Sequence, residues 1–267
     1  MQAGFWQGEQ GALFYLLHEP DDLAVRGAVL YVPPFAEELN KSRHMAARQA
    51  RLLAERGYVV LMPDLYGCGD SGGDFGDARW QDWLADLATC YRWLQTQYAV
   101  PVILWGLRAG CLLISDLLQT RQLTPAALLY WQPVIQGERY LAQFLRLRMA
   151  ASMLGDNKET TGQLQARLQG GETLEVAGYA LTPALASGLA AARLSVPPVA
   201  PVIWLEVVQS DPPALPPVST QLITAWREQD ADVRASAVAG DPFWTTQEIH
   251  QAPALLTASL ESLEALA

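Results

Sequence analysis

Cysteine is scarce and odd in number. Cys68, Cys90 and Cys111 are too scattered for a disulfide framework, and no pair has the spacing of a metal site. Long apolar runs are missing too, and none approaches a membrane span. Met1 to Phe14 has neither the basic start nor the apolar stretch of a secretory signal, so a reducing cytoplasm is the expected setting. Positive charge is in deficit: 18 Lys and Arg stand against 28 Asp and Glu, a formal charge of −10. That balance argues against nucleic acid or an anionic membrane surface as a general partner. Histidine is rare, with three in the chain. What is plentiful is core material. Apolar residues make up 51% of the chain, with nine Trp, so the composition is not that of a disordered protein. Its 267 residues suit one large α/β domain with an insertion.

Apolar runs and helical periodicities alternate along the first half. Strands are expected at Ala12 to His18 and Gly27 to Val32, and a helix from Glu37 to Arg56 that stops at Gly57. The almost wholly apolar strand Tyr58 to Met62 follows, as in a strand covered on both faces. A glycine-rich loop then leads to an amphipathic helix, Arg79 to Tyr98, with Trp80, Trp83, Leu84, Leu87, Tyr91 and Leu94 on one side. The alternation continues through a strand ending near Leu107, a helix from Ala109 to Thr120 and a strand from Ala126 to Trp131. It breaks between Gln136 and Val196. There Tyr140 to Leu154 reads as an Arg-bearing amphipathic helix, with Arg139, Arg146 and Arg148 on a solvated face. Gly155 to Gly171 reads as a polar, mobile loop, Thr173 to Tyr179 as one short strand and Ala184 to Leu194 as a helix. After Pro197-Pro198, a strand (Val202 to Val208), a helix (Val218 to Asp230), a last strand (Val233 to Ala239) and a closing helix (Ala252 to Leu266) return to the first pattern. Such an order implies a parallel sheet with helices on both faces. The expected division is a core at 1–136, a lid or cap insertion at 137–196, and the rest of the core at 197–267.

The informative stretch is Trp105-Gly106-Leu107-Arg108-Ala109-Gly110-Cys111. Two glycines four positions apart, between an apolar strand and a small-residue helix, have the spacing of a nucleophile elbow, where strand and helix backbones pass close together. The middle position ordinarily holds Ser and here holds Arg108. A guanidinium stays protonated and cannot attack a carbonyl.

Together with the Asp64-Leu65-Tyr66-Gly67-Cys68-Gly69-Asp70-Ser71-Gly72 loop and the strand-loop-helix order, this frame resembles the α/β-hydrolase superfamily. More narrowly, Pro33-Pro34-Phe35-Ala36-Glu37-Glu38-Leu39-Asn40-Lys41-Ser42-Arg43 and the Arg-bearing elbow look like the exosortase A system-associated hydrolase type 2 proteins. That resemblance implies a mostly parallel twisted sheet with helices on both faces and a lid. It also implies a setting among exopolysaccharide loci and the sorting of PEP-CTERM proteins, with a protein partner from that system. The chemistry does not follow from the fold.

The superfamily order of nucleophile, acid and histidine is poorly met. Asp211, soon after Val202 to Val208, is either the acid or a turn Asp before Pro212-Pro213. The loop after the last strand offers Phe243 and Trp244 where a His is expected, and His250 lies several residues beyond. A Ser-His-Asp mechanism is thus not available. Substitute nucleophiles are Cys111, one turn past Arg108, and Ser42, with Lys41 beside it. Ser71 reads as a loop-fixing hydroxyl.

The frame keeps features that suit an anion: the Ala109 N–H at a helix N-terminus, an N–H from the Phe35 loop, and the Arg108 cation. Arg108 either anchors a ligand or pairs internally with Glu37, Glu38 or Asp211. Trp105, Tyr130, Trp131 and Trp244 are candidates to wall the crevice. Three functions follow. One is a binding protein for an anionic acyl, glycan or carboxylate ligand, another an ester or thioester hydrolase or acyltransferase with an unusual nucleophile, and the third an assembly scaffold. No cofactor or metal is implied.

Overall fold

A computed structural model of the chain describes residues 1–21, 23–152, 159–197, 200–246, 248 and 250–266. Its centre is an eight-stranded sheet in the order β1-β2-β4-β3-β5-β6-β9-β10. These strands are β1 (Gln2–Gln7), β2 (Ala12–His18), β3 (Gly27–Val32), β4 (Tyr58–Pro63), β5 (Val102–Leu107), β6 (Ala127–Trp131), β9 (Val202–Val208) and β10 (Val233–Ala239). β1, β2 and β4 pair antiparallel. From β4 through β10 every pairing is parallel.

Every residue of β3, β4, β5 and β6 is buried, which is why these strands read as unbroken apolar runs. Alternation along each strand divides the core in two. Leu30, Val32 and Leu104 join Trp83, Leu87 and Leu112 on one face. Val29, Tyr31 and Trp105 join Met45, Leu53 and Leu256 on the other. Helices α2 (Trp80–Tyr98), α3 (Gly110–Thr120) and α7 (Pro217–Arg227) cover the first face, and α1 (Glu37–Ala54) and α8 (Pro253–Glu264) the second. All six residues expected on the buried side of α2 are buried.

Between β6 and β9 lie α4 (Gly137–Ser152), α5 (Thr161–Gln169), the hairpin β7 (Leu174–Val176) and β8 (Tyr179–Leu181), and α6 (Pro183–Ala191). The expected polar loop is in part a helix. The Thr160 hydroxyl accepts the Gln163 N–H while the Gln163 side chain accepts the Thr160 N–H, a reciprocal cap spelled in the sequence. Leu164 and Leu168, one turn apart, are buried. Residues 153–158, which belonged to the expected helix and loop, fall outside the described residues, as does Pro198. The expected single strand is a hairpin, because Ala177 and Gly178 adopt φ of 52° and 85° in a two-residue turn. β1 went unread because its six residues are at most half-buried on the sheet edge. Arg148 is more than a solvated face residue: it bonds Glu159 at 3.0 Å and the Glu175 carbonyl at 3.0 Å, tying α4 to the hairpin. No helix among the described residues is long and apolar enough to cross a membrane.

Candidate functional site

The elbow forms as its glycines demand. A Cβ on Gly106 would stand 2.8 Å from Ile114 Cδ1 and 3.0 Å from the Cys111 nitrogen; one on Gly110 would stand 2.3 Å from the Val32 carbonyl oxygen. Strand and helix therefore approach too closely for any side chain at either place. Arg108 between them has φ 55°, a left-handed conformation that costs a non-glycine roughly 1–2 kcal/mol. Its backbone is held on both sides. The Arg108 N–H donates to the Trp131 carbonyl at 3.0 Å, and its own carbonyl accepts from Cys111 at 3.1 Å and Val134 at 3.3 Å.

The Arg108 side chain is 16% exposed and its Nε donates to Glu38 Oε1 and Oε2 at 3.2 and 3.4 Å. Glu38 comes from the first turn of α1 and is buried. The guanidinium carbon lies 5.5 Å from the centre of the Tyr140 ring and 5.4 Å from that of Trp244, within range of a cation–π attraction. Burial pushes the Glu38 carboxyl up, with Arg108 and the Tyr140 hydroxyl pulling it back. Burial is the largest single influence and works against the Arg108 charge, but Glu38, Tyr140 and Cys111 together outweigh it, and the guanidinium pKa rises above its ordinary value. The cation is permanent. Among the described residues neither Nη atom of Arg108 donates a hydrogen bond.

Arg108 also lines a cavity of about 290 Å³ at the ends of β6 and β9, together with Gln132, Gln136, Tyr140, Gln143 and Glu206. On the other side of the elbow, Phe35, Ala109, Trp80, Trp83 and Leu113 close around a space of about 10 Å³, too small for a ligand. The Phe35 ring is packed edge-on against Phe144 at 5.1 Å, Trp83 at 5.8 Å and Tyr140 at 6.2 Å.

Of the residues singled out from sequence, Arg108, Ala109, Phe35, Glu38 and Trp244 converge here. Glu37 is adjacent, but its Oε2 is buried without a hydrogen-bond partner, and burial raises its pKa. Asp211 is exposed and does not approach Arg108. Ser42 is fully buried and donates back to the Glu38 carbonyl at 2.7 Å. Cys111 is fully buried, and burial lifts its thiol well above the ordinary value against the pull of Arg108. His250 pairs with Asp241 at 3.3 Å, and its carbonyl accepts from His44 at 2.8 Å, so it belongs to the final loop rather than to the elbow. Ser71 fixes its loop as expected, donating to the Asp64 carbonyl and accepting the Phe14 N–H. Trp105, Tyr130 and Trp131 wall no crevice; all three are fully buried core residues. Tyr140, Gln132 and Glu206 were missed. A lone carboxylate inside Val202–Val208 was the available signal for the last of them.

The serine aminopeptidase S33 family matches residues 24–196, well over half of the chain. The chain belongs to that family, within the α/β hydrolases. No curated protein matches. Among solved structures, Est1E from Butyrivibrio proteoclasticus, with ferulic acid bound, is similar at TM-score 0.66 and 16% identity, with 99% of each chain covered. A thermostable carboxyl esterase from Bacillus coagulans, in complex with glycerol, is similar at 0.66 and 14%, covering 99% of this chain and 98% of the other. XC6422 from Xanthomonas campestris, described as an α/β serine hydrolase without lid, is similar at 0.59 and 16%, covering 99% and 94%. At these identities the likeness is one of fold. In this chain the residue at the elbow is the cation Arg108.

Proposed function

We propose that this protein binds an anionic ligand through a carboxylate-like group at Arg108 and does not carry out Ser-His-Asp hydrolysis. One observation supports this above the others. The Nε edge of Arg108 is held by Glu38, while its Nη atoms donate no hydrogen bond among the described residues and the residue lines a cavity of about 290 Å³. One edge of the guanidinium is thus oriented by protein and the other left for a bidentate carboxylate. The burial of Ser42 and Cys111 speaks against either as a substitute nucleophile. In the same proposal the segment 137–196 acts as a lid, because it places Tyr140 over the guanidinium. In the same proposal the protein works in the cytoplasm, and the resemblance of the Pro33-to-Arg43 stretch and the Arg elbow supports a partner from the exosortase and exopolysaccharide system.

The test has two parts. Butyrate affinity, measured by calorimetry, is expected to fall at least tenfold in Arg108→Ala; unchanged affinity ends the proposal. Incubation with p-nitrophenyl butyrate followed by mass spectrometry is expected to leave the protein unacylated, and an acyl adduct on any cavity residue would overturn it.

A further inference from the structure

Glu206 is an unusual tenant of this cavity. It sits in the apolar strand β9, is 4% exposed, and lines the same space as Arg108. Oε1 accepts the Trp204 indole N–H at 2.7 Å and Oε2 accepts the Gln132 amide at 3.3 Å. Both donors are neutral, and no cation pairs with Glu206 among the described residues. A carboxylate offers about four acceptor sites, so roughly half of its capacity remains for a ligand.

Gln132 is built to hold that arrangement. It carries φ 46°, a left-handed conformation that residues other than glycine seldom adopt. Its Oε1 accepts the Val207 N–H at 2.8 Å, which turns the amide NH2 toward Glu206. Gln136, Gln143 and Ser219 add groups to the lining that both donate and accept. A plain acyl chain would desolvate these groups and return nothing. Pro133, Val134 and Pro216 supply small apolar patches between them. The volume, about 290 Å³, is at the lower end of the roughly 300–1,000 Å³ typical of small-molecule sites.

Resting on the reading of Arg108 as a carboxylate anchor, we infer that the ligand is a single sugar-acid unit, its carboxylate on Arg108 and its hydroxyls on Glu206 and the glutamines. The two groups divide recognition: Arg108 takes any carboxylate, and Glu206 selects those that bear hydroxyls.

Calorimetry with D-glucuronate, D-galacturonate, D-mannuronate, D-glucose and butyrate separates the two roles. At least one hexuronate is expected to bind the wild-type protein ten or more times tighter than butyrate and than glucose. Glu206→Gln is expected to reduce that hexuronate to the level of butyrate while leaving butyrate unchanged, and Arg108→Gln to weaken both acids. A hexuronate-to-butyrate ratio unaltered by Glu206→Gln overturns the inference and spares the anchor; loss of all carboxylate binding in the wild type overturns the anchor itself. If Glu206→Gln does not fold, the wild-type ratio decides alone, and a ratio near one sinks the inference. The methyl glycoside of the preferred acid tells a chain end, which it should match, from a free acid, which it should not.

Discussion

The two sides of the elbow are built from the same turn and have opposite fates. On one, Phe35, Trp80, Trp83 and Ala109 leave about 10 Å³; on the other, Arg108, Gln132 and Glu206 border about 290 Å³. The first side is aromatic, packed and without charge, and Phe35 alone meets four other rings edge-on. The second is polar and half open. The comparison teaches that Arg108 stands between two unlike walls: aromatic core packs against Ala109 on one side, and charged and polar groups line the other.

The strongest challenge to this contrast is to remove the charge that orients Arg108. Glu38→Leu leaves a largely buried guanidinium unpaired and is expected to cost about 3–5 kcal/mol in urea denaturation. Adding Arg108→Met should recover most of that loss, since two apolar side chains replace two charges. A double variant as unstable as the single one would mean that Glu38 acts through something other than the pair.

A somewhat smaller effect sharpens the contrast from its closed side. Phe35→Ala empties a buried ring position and is expected to destabilise by about 3 kcal/mol. If the two sides are separate, butyrate affinity at Arg108 stays within twofold. A larger drop would join them into one site.

The smallest effect is a pH dependence seated on α2, behind the closed side. Asp86 accepts the Tyr66 N–H at 3.0 Å, and burial pushes its carboxyl up to about 6. A carboxyl raised on folding binds more protons in the native state, so its contribution is present below the unfolded value and is lost as pH climbs through the folded one. Relative to Asp86→Asn, the wild-type protein should lose about 2 kcal/mol of stability between pH 4 and pH 7. Parallel curves for the two proteins would place the titration elsewhere.

Much of the frame was readable before any coordinates. Val202–Val208 and Val233–Ala239 fell at their expected limits, and α2 buried the face its periodicity marked. Arg108 at the elbow and Phe243-Trp244 after the last strand were equally plain. Less legible were elements whose signal is local or weak. β1 is half-solvated and lacks an apolar run, while α5 announced itself only through its cap at Thr160 and two leucines. Tyr140 looked like any buried residue on an amphipathic helix, and nothing in its neighbours says that its ring faces a guanidinium 32 positions earlier in the chain.

By itself, then, the order of residues determined the layering, the glycine-bounded turn and the permanent cation at its centre. Each depends on periodicity, backbone reach or side-chain protonation, and these act over a few residues. Which carboxylate would meet Arg108, which side of the turn would stay open, and that Glu206 would border the opening were decided only by tertiary packing. Those outcomes depend on where α1, α4 and β9 meet in space, and burial and Coulomb attraction act between atoms that the chain brings together from far apart.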